Sequence, residues 1–229
     1  MKTIAIHQPE YFPWLGLLDK SRQVDAFVHL DHVQFDRSSL QHRAKVLGPN
    51  GVFWLTIPYV HRFPQRIDEL AFADARWSTK HLKSIQQAYS RAPGWKCAQP
   101  VIEAFFARPW PRVADATIAS VEMLWDAFGV RPKEVVRASE LGVEGERADL
   151  VKAICKAMGA TRYLSGRTGA TYLPIAEFAA EGVEVVVQSF TPRPYPRRAV
   201  DESEARGLSA LDAWLQLGEG AKAYFQEER

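Results

Sequence analysis

The fold is set near the N-terminus by the sequence TIAIHQPEYFPW, which runs from Thr3 to Trp14. Its start is a short β-branched and apolar run, and the two prolines that follow prevent a strand from continuing. This pattern predicts a first β-strand that ends at His7. The apolar spacing of residues 15–24 is typical of a helix, and Ala26–Leu30 is typical of a second strand. The stretch therefore opens a β-loop-α-β unit.

Units of this kind favour a parallel strand pair, and open α/β sheets bind ligands outside the carboxyl ends of their strands. His7 and Asp31 lie at these two ends. Farther along, the turn signal at residues 48–51 predicts a hairpin between Arg43–Leu47 and Val52–Pro58. We therefore predict an α/β fold with a mixed, mainly parallel, Rossmann-like sheet flanked by helices.

The remaining sequence continues the alternation of helices and strands around a helical subregion of about residues 75–128. A chain of 229 residues with 47% apolar content can form one substantial core, so residues 1–229 are predicted to form a single domain. Helices are predicted at Trp77–Tyr89, Val101–Phe106, Val113–Phe128, Ala148–Met158 and Ile175–Glu181, and strands at Glu134–Val136, Thr161–Leu164 and Val183–Gln188.

The overall charge is nearly balanced, with 29 Lys and Arg against 27 Asp and Glu and a net charge of +2. This balance argues against nucleic acid or an anionic membrane surface as a partner. The sequence shows neither a membrane-length apolar run nor a signal peptide, so we expect a cytoplasmic protein. Cys97 and Cys155 match no metal or redox motif and are expected to be reduced thiols.

The loop from His7 to Trp14 combines hydrogen-bonding groups with aromatic rings directly after the first predicted strand. His7 and Gln8 are expected to contact a ligand, while Tyr11, Phe12 and Trp14 are expected to form the apolar wall of its pocket. The alternative interpretation is that these rings attach the loop to the core. For the segment as a whole, the pattern favours a ligand site.

Ionisable side chains are concentrated after the second predicted strand, where acid/base or phosphate-binding residues are expected. This cluster comprises Asp31, Gln34, Asp36 and Arg43, interleaved with His29, His32 and His42. Imidazole and carboxylate groups also suit a zinc ion, but their spacing fits no recognised ligand motif. We therefore expect no metal site and interpret the histidines as surface residues.

Two further segments contain groups that can bind an anion. Lys80 and His81 lie near the start of a predicted helix and could present cations to a phosphate or carboxylate, although a solvated helix face is the simpler interpretation. Ser165 and Gly166 follow the strand predicted at Thr161–Leu164, in a loop that resembles an anion-binding turn but matches neither a phosphate loop nor a dinucleotide fingerprint.

The run from Ile6 to Gly16 resembles the WbqC-like protein family. The resemblance covers nearly the whole chain and includes Asp31-His32-Val33-Gln34, Arg43, Trp54-Leu55-Thr56-Ile57-Pro58, Tyr89, residues 156–163 and residues 208–212. It implies a place in the biosynthesis of O-antigen, related sugars or natural products, with transfer of glycine or another acyl unit to an amino group. It also adds Trp54 to the expected substrate-binding residues.

The sequence departs from the family pattern at two places. His42 stands before Arg43 where members of the family commonly have Asn, and the loop with Ser165, Gly166 and Gly169 replaces an Asn-Pro and paired-glycine pattern. The substrate contacts of this loop are therefore expected to differ. A topological similarity to pantothenate-synthetase-type nucleotidyl-transfer folds is an analogy only, since their histidine motif is not matched.

The first functional hypothesis is an acyl or aminoacyl transferase that forms an amide on an amino sugar or a related amine, using a thioester on an acyl carrier protein or an adenylate as donor. His7 would be the general base. Asp31 or Asp36 would orient it, while Arg43 and the pair Lys80-His81 would hold an anionic part of the substrate.

Two other hypotheses remain open. The second is an adenylating enzyme that binds ATP and magnesium near Asp31, Asp36 and the loop at Ser165-Gly166. The third is a ligand-binding module or biosynthetic partner without catalysis, because the sequence contains no recognisable catalytic triad.

Overall fold

A five-stranded parallel sheet lies at the centre of the computed structural model, which describes residues 1–226. Within these residues the strands are β1 (Thr3–His7), β2 (Ala26–His29), β3 (Arg43–Gly48), β4 (Gly51–Thr56), β5 (Glu134–Arg137), β6 (Arg162–Ser165) and β7 (Glu184–Val187). The order across the sheet is β5-β2-β1-β6-β7, and each neighbouring pair is parallel. The predicted α/β fold with a Rossmann-like sheet is confirmed.

The helices are α1 (Leu15–Arg22), α2 (Trp77–Tyr89), α3 (Trp95–Ala107), α4 (Val113–Phe128), α5 (Arg147–Ala157), α6 (Arg167–Ala170), α7 (Ile175–Ala180), α8 (Glu202–Ala205) and α9 (Ala210–Leu217). The bounds of α2 and α4 are those predicted from the sequence. Helix α3 begins at Trp95, six residues before the predicted start at Val101, and contains Pro100. None of the helices within residues 1–226 combines the length and apolar character that crossing a membrane requires.

The predicted hairpin is present, but it does not join the main sheet. Strands β3 and β4 pair antiparallel with each other and form a separate two-stranded sheet, with Gly48 opposite Gly51 at the turn. The φ of +105° at Gly51 is accessible to glycine and strained for other residues. The expectation of a mixed sheet is corrected accordingly, since the main sheet is entirely parallel.

Side chains on the two faces of the neighbouring strands β1 and β2 belong to different core clusters. Ala5 and Phe27 pack on one face with residues of α1, α2, α3, α4 and α9. Ile4, Ile6 and Val28 pack on the other face with residues of α5 and α7. This division follows from the alternation of side chains along a strand. The fold is thus three-layered, with the sheet buried between two layers of helices.

Strand β1 is the point at which the strand order reverses. The chain proceeds from β1 to β2 and β5 on one side, and later returns to β6 and β7 on the other. The carboxyl ends of β1 and β6 are therefore neighbours whose following loops diverge. Such a switch point opens a crevice in parallel α/β sheets.

Candidate functional site

A cavity of about 530 Å³ opens at the carboxyl ends of β1, β6 and β7. Its volume lies in the range of small-molecule sites, and it occupies the switch point between β1 and β6. Its walls are formed by Ile6, His7, Gln8, Trp14, Gly16, Leu17, Lys20, Leu30, Val151, Tyr163, Ser165, Gly166, Arg167, Thr168, Gly169, Tyr172, Gln188 and Phe190.

His7 ends β1 and presents a neutral imidazole to the cavity. Its Nδ1 lies 2.8 Å from the carbonyl oxygen of Gln8, and because a carbonyl only accepts, Nδ1 donates and Nε2 keeps a free lone pair. Burial lowers the His7 pKa to about 3, with a further lowering by the positive charge of Lys20 and a partial offset by the Gln8 carbonyl. The side chain is still 26% exposed. His7 is therefore uncharged at neutral pH.

Lys20 lines the cavity and Glu10 does not, and their opposite charges interact without a direct ion pair. Lys20, on α1, is 4% exposed, and no hydrogen-bond or ion-pair partner for its ammonium group occurs among residues 1–226. Burial lowers the Lys20 pKa to about 8, and the Glu10 carboxylate opposes that shift. Glu10 Oε1 lies 3.8 Å from His7 Nε2, while its buried Oε2 has no hydrogen-bond partner. Burial therefore leaves both charged groups poorly hydrated.

Glu10→Gln is expected to stabilise the protein at pH 7 but not at pH 4.5. Burial raises the Glu10 pKa from an ordinary value of 4.5 to about 7, with Lys20 opposing. Between these values the folded state retains a proton that the unfolded state has released, so this group's contribution to stability falls as pH rises. Urea unfolding of both proteins across this range measures the effect. A difference in unfolding free energy that stays constant with pH would contradict it.

The segment after β6, which comprises Gly166 and helix α6, approaches the cavity closely because it contains glycine at two positions. A Cβ added to Gly166 would lie 3.2 Å from Lys20 Nζ, and one added to Gly169 would lie 2.8 Å from Ser165 Oγ. The Ser165 hydroxyl is buried and donates to the Gly166 carbonyl at 3.1 Å. Arg167 follows and lines the cavity. Gly166 and α6 thus bring a guanidinium group and hydroxyl groups into the cavity that Lys20 also lines.

The opposite wall is aromatic and firmly anchored. Trp14 and Phe190 meet edge to face with ring centroids 6.0 Å apart. The Gln188 amide nitrogen, just past β7, donates to the Gly16 carbonyl at 2.8 Å and to the buried Asp19 carboxylate at 2.7 Å. These bonds fix the end of β7 to α1. The cavity therefore combines a rigid apolar wall with a polar floor.

Five of the residues predicted from the sequence to bind a ligand line this cavity: His7, Gln8, Trp14, Ser165 and Gly166. They come from loops that are about 150 residues apart in the chain, and the parallel pairing of β1 with β6 brings them together. The Gln8 side chain is held by Gln41, whose amide nitrogen donates to Gln8 Oε1 at 2.7 Å.

Tyr11 and Phe12 lie outside the cavity, each only 1% exposed. The φ of +42° at Phe12 turns the chain inward, and its backbone N–H donates to Ser120 Oγ at 2.8 Å. The Tyr11 hydroxyl donates at 2.9 Å to Nδ1 of His81, whose Nε2 donates to the Thr56 carbonyl. The two rings and His81 attach the loop to the helical core, which is the alternative interpretation given above.

The acidic residues expected to orient His7 make other contacts. Asp31 is fully buried, and its two oxygens accept from the backbone N–H and the hydroxyl of Ser139 at 3.0 and 2.9 Å. Asp36 is exposed and accepts from the hydroxyl and backbone N–H of Ser38, which lower the Asp36 pKa. Gln34 donates to the Phe35 carbonyl. Instead, the Gln8 carbonyl orients His7.

The expected anion-binding residues of the middle segment also lie outside the cavity. Arg43 stacks over Trp54 on the hairpin, with the guanidinium carbon 4.8 Å from the ring centroid. Lys80 is exposed and pairs with Asp74 at 2.7 Å. Among the residues that the structure describes, no group of three or more His, Cys, Asp or Glu side chains is arranged to hold a metal ion.

Sequence reasoning missed Lys20, Arg167 and Gln188, and assigned no role to Glu10. For Lys20 a signal existed, because residues four apart on a helix share one face and Lys20 therefore lies beside Gly16, next to the His7 to Trp14 loop. No comparable signal marks Gln188, whose position depends on how β7 packs against α1.

The fold and the site together define a Rossmann-like α/β protein with a positively charged small-molecule cavity at the switch point of its sheet. The chain belongs to the WbqC-like protein family, whose model matches residues 8–224. It is also similar to "Uncharacterized protein Rv1507c" of Mycobacterium tuberculosis (strain ATCC 25618 / H37Rv), with 22% identity over 176 residues, covering 76% of each chain. No solved structure matches the chain.

Proposed function

We propose that the protein is a transferase that moves an acyl or aminoacyl group, such as glycyl, to the amino group of a small molecule and so forms an amide. The observation that carries this proposal is the neutral His7, whose Nδ1 is committed to the Gln8 carbonyl while Nε2 remains free at the cavity wall. Nε2 is positioned to accept a proton from an attacking amine, and that proton becomes acidic as the C–N bond forms.

The reaction follows from these positions. The amine nitrogen attacks the carbonyl carbon of an acyl thioester, the new C–N bond forms, and Nε2 takes the amine proton. The Gln8 carbonyl and the Glu10 carboxylate, 3.8 Å from Nε2, stabilise the imidazolium. The C–S bond then breaks, and the leaving thiolate takes the proton from Nε2.

The acceptor and donor classes come from the family resemblance and from the cavity. An amino sugar or a related amine in polysaccharide or natural-product biosynthesis is the proposed acceptor, and its hydroxyls would meet Ser165 and Gln8. The cavity volume of about 530 Å³ accommodates a sugar-sized acceptor together with the end of a pantetheine arm. An acyl carrier protein is therefore the proposed donor partner.

The protein is expected to form an amide product from glycyl or acetyl pantetheine thioesters and a panel of amino sugars, detected by mass spectrometry. Matched reactions compare a free pantetheine thioester, the same thioester on an acyl carrier protein, and ATP with the free acid. Amide formed from a thioester supports the proposal. Pyrophosphate release from ATP would instead support adenylation, and ligand binding without turnover on any donor would support a binding module.

A further inference from the structure

We propose that Lys20 binds the phosphate or carboxylate group of a small anionic substrate at the floor of the cavity. This assignment deepens the proposed function, on which it rests, by naming the class of substrate that the site accepts. It concerns a residue to which the sequence analysis assigned no role.

Lys20 is largely buried, and its ammonium group has no ion-pair partner. The residue is 4% exposed and lines the cavity, and among residues 1–226 Nζ makes no hydrogen bond or ion pair. Burying an ammonium group is unfavourable unless the charge is paired. An anionic ligand would supply the missing acceptors.

The charge of the cavity wall also favours an anionic ligand. The residues that line it include two cations, Lys20 and Arg167, and no carboxylate. Glu10 and Asp19 lie nearby without lining the cavity, and Asp19 is already bonded to Gln188 and Gln23. The site is therefore positively charged on the side where a ligand would lie.

The structure leaves space for a ligand around the Lys20 ammonium group. Gly166 lies against Lys20 Nζ, where a Cβ would stand only 3.2 Å away, so the glycine allows Nζ to face the cavity. Arg167 and Thr168, on α6, line the same cavity. A phosphate or carboxylate beside Lys20 would also have these donors within the cavity, and hydrogen bonds to charged oxygens are strong.

Isothermal titration of the purified protein with inorganic pyrophosphate and, separately, with succinate tests the proposal and distinguishes the two anion sources. Each anion is compared with sodium chloride at equal ionic strength. We expect saturable binding of at least one anion in the millimolar range or tighter, and weakening by about tenfold to a hundredfold in Lys20→Met. Exposed Lys83→Met is the matched control and should bind like the wild type.

A second variant probes Lys20 without removing its charge. Gly166→Ala has an ordinary backbone conformation and touches only Lys20 Nζ, so it should weaken binding severalfold while the protein stays folded. Gly220→Ala, which meets nothing within 4 Å, is its control. The melting temperature without ligand reports folding, and Lys20→Met should not lower it, since an apolar side chain replaces a buried charge.

The outcomes separate this inference from the proposed function. Anion binding that is lost in Lys20→Met and kept in His7→Asn supports the Lys20 assignment, even when no acyl transfer is found. Equal binding by Lys20→Met and wild type overturns it, and so does the absence of saturable binding of both anions to the wild type. Unchanged binding in Gly166→Ala also counts against it.

Discussion

Replacing His7 by Asn is expected to lower turnover in amide formation by about 10²- to 10⁴-fold, the range typical of removing a positioned general base. Asparagine keeps an N–H near the position of Nδ1 and can still donate to the Gln8 carbonyl, so the loop conformation should survive. It cannot accept the proton that Nε2 would take. The loss should therefore appear in kcat, with little change in substrate affinity.

The matched control for this substitution is His61→Asn, because His61 is exposed and does not line the cavity. Its turnover should equal that of the wild type. The pH dependence adds a check: since burial and Lys20 lower the His7 pKa to about 3, the base should remain neutral at pH 5, where an ordinary histidine would be mostly protonated. A His7→Asn protein with full turnover would remove His7 from the mechanism.

Replacing Asp212 by Ala is expected to destabilise the fold by about 2–4 kcal/mol, the largest stability effect that we anticipate. Asp212 is fully buried on α9 and accepts from the hydroxyls of Tyr89 and Tyr195 at 2.8 and 2.7 Å. The Tyr89 oxygen in turn accepts from the backbone N–H of Leu47 at 2.9 Å. Alanine would leave both hydroxyls without their acceptor.

Urea unfolding measures this effect as a lower midpoint with an unchanged slope. Asp212→Asn should have a smaller effect, because its amide oxygen still accepts from one tyrosine. Exposed Asp149→Ala is the control, since it breaks only a surface ion pair with Lys152 and should shift the midpoint little. An Asp212→Ala protein as stable as the control would show that the network does not support the fold.

The parallel sheet could be predicted because its strands are short apolar runs, and because prolines and glycines mark where several of them end. Helices α2 and α4 were predictable for a similar reason, since the apolar spacing is continuous over Trp77–Tyr89 and Val113–Phe128. The separation of the hairpin from the main sheet was not predictable. It depends on contacts between distant segments, such as the Ser209 N–H that donates to the Lys45 carbonyl.

Site residues that lie at strand ends could be predicted from the sequence. Residues whose place depends on the direction of the side chain were harder to predict. His7 and Ser165 end β1 and β6, so their meeting follows from strand order. Tyr11 and Phe12 could have faced either a ligand or the core, and both are buried in the core, with Phe12 at a φ of +42°. Composition and spacing do not encode that dihedral angle.

The place of β1 in the sheet also sets an order of events during synthesis. Its partner β2 follows within thirty residues, but Thr3 pairs with Arg162 of its other neighbour only after most of the chain exists. Closing so long a loop is slow and entropically unfavourable before the late contacts form. His7 is therefore synthesised long before the residues of β6, β7 and Gln188 that complete the cavity walls. Formation of the cavity thus depends on contacts between the two ends of the chain.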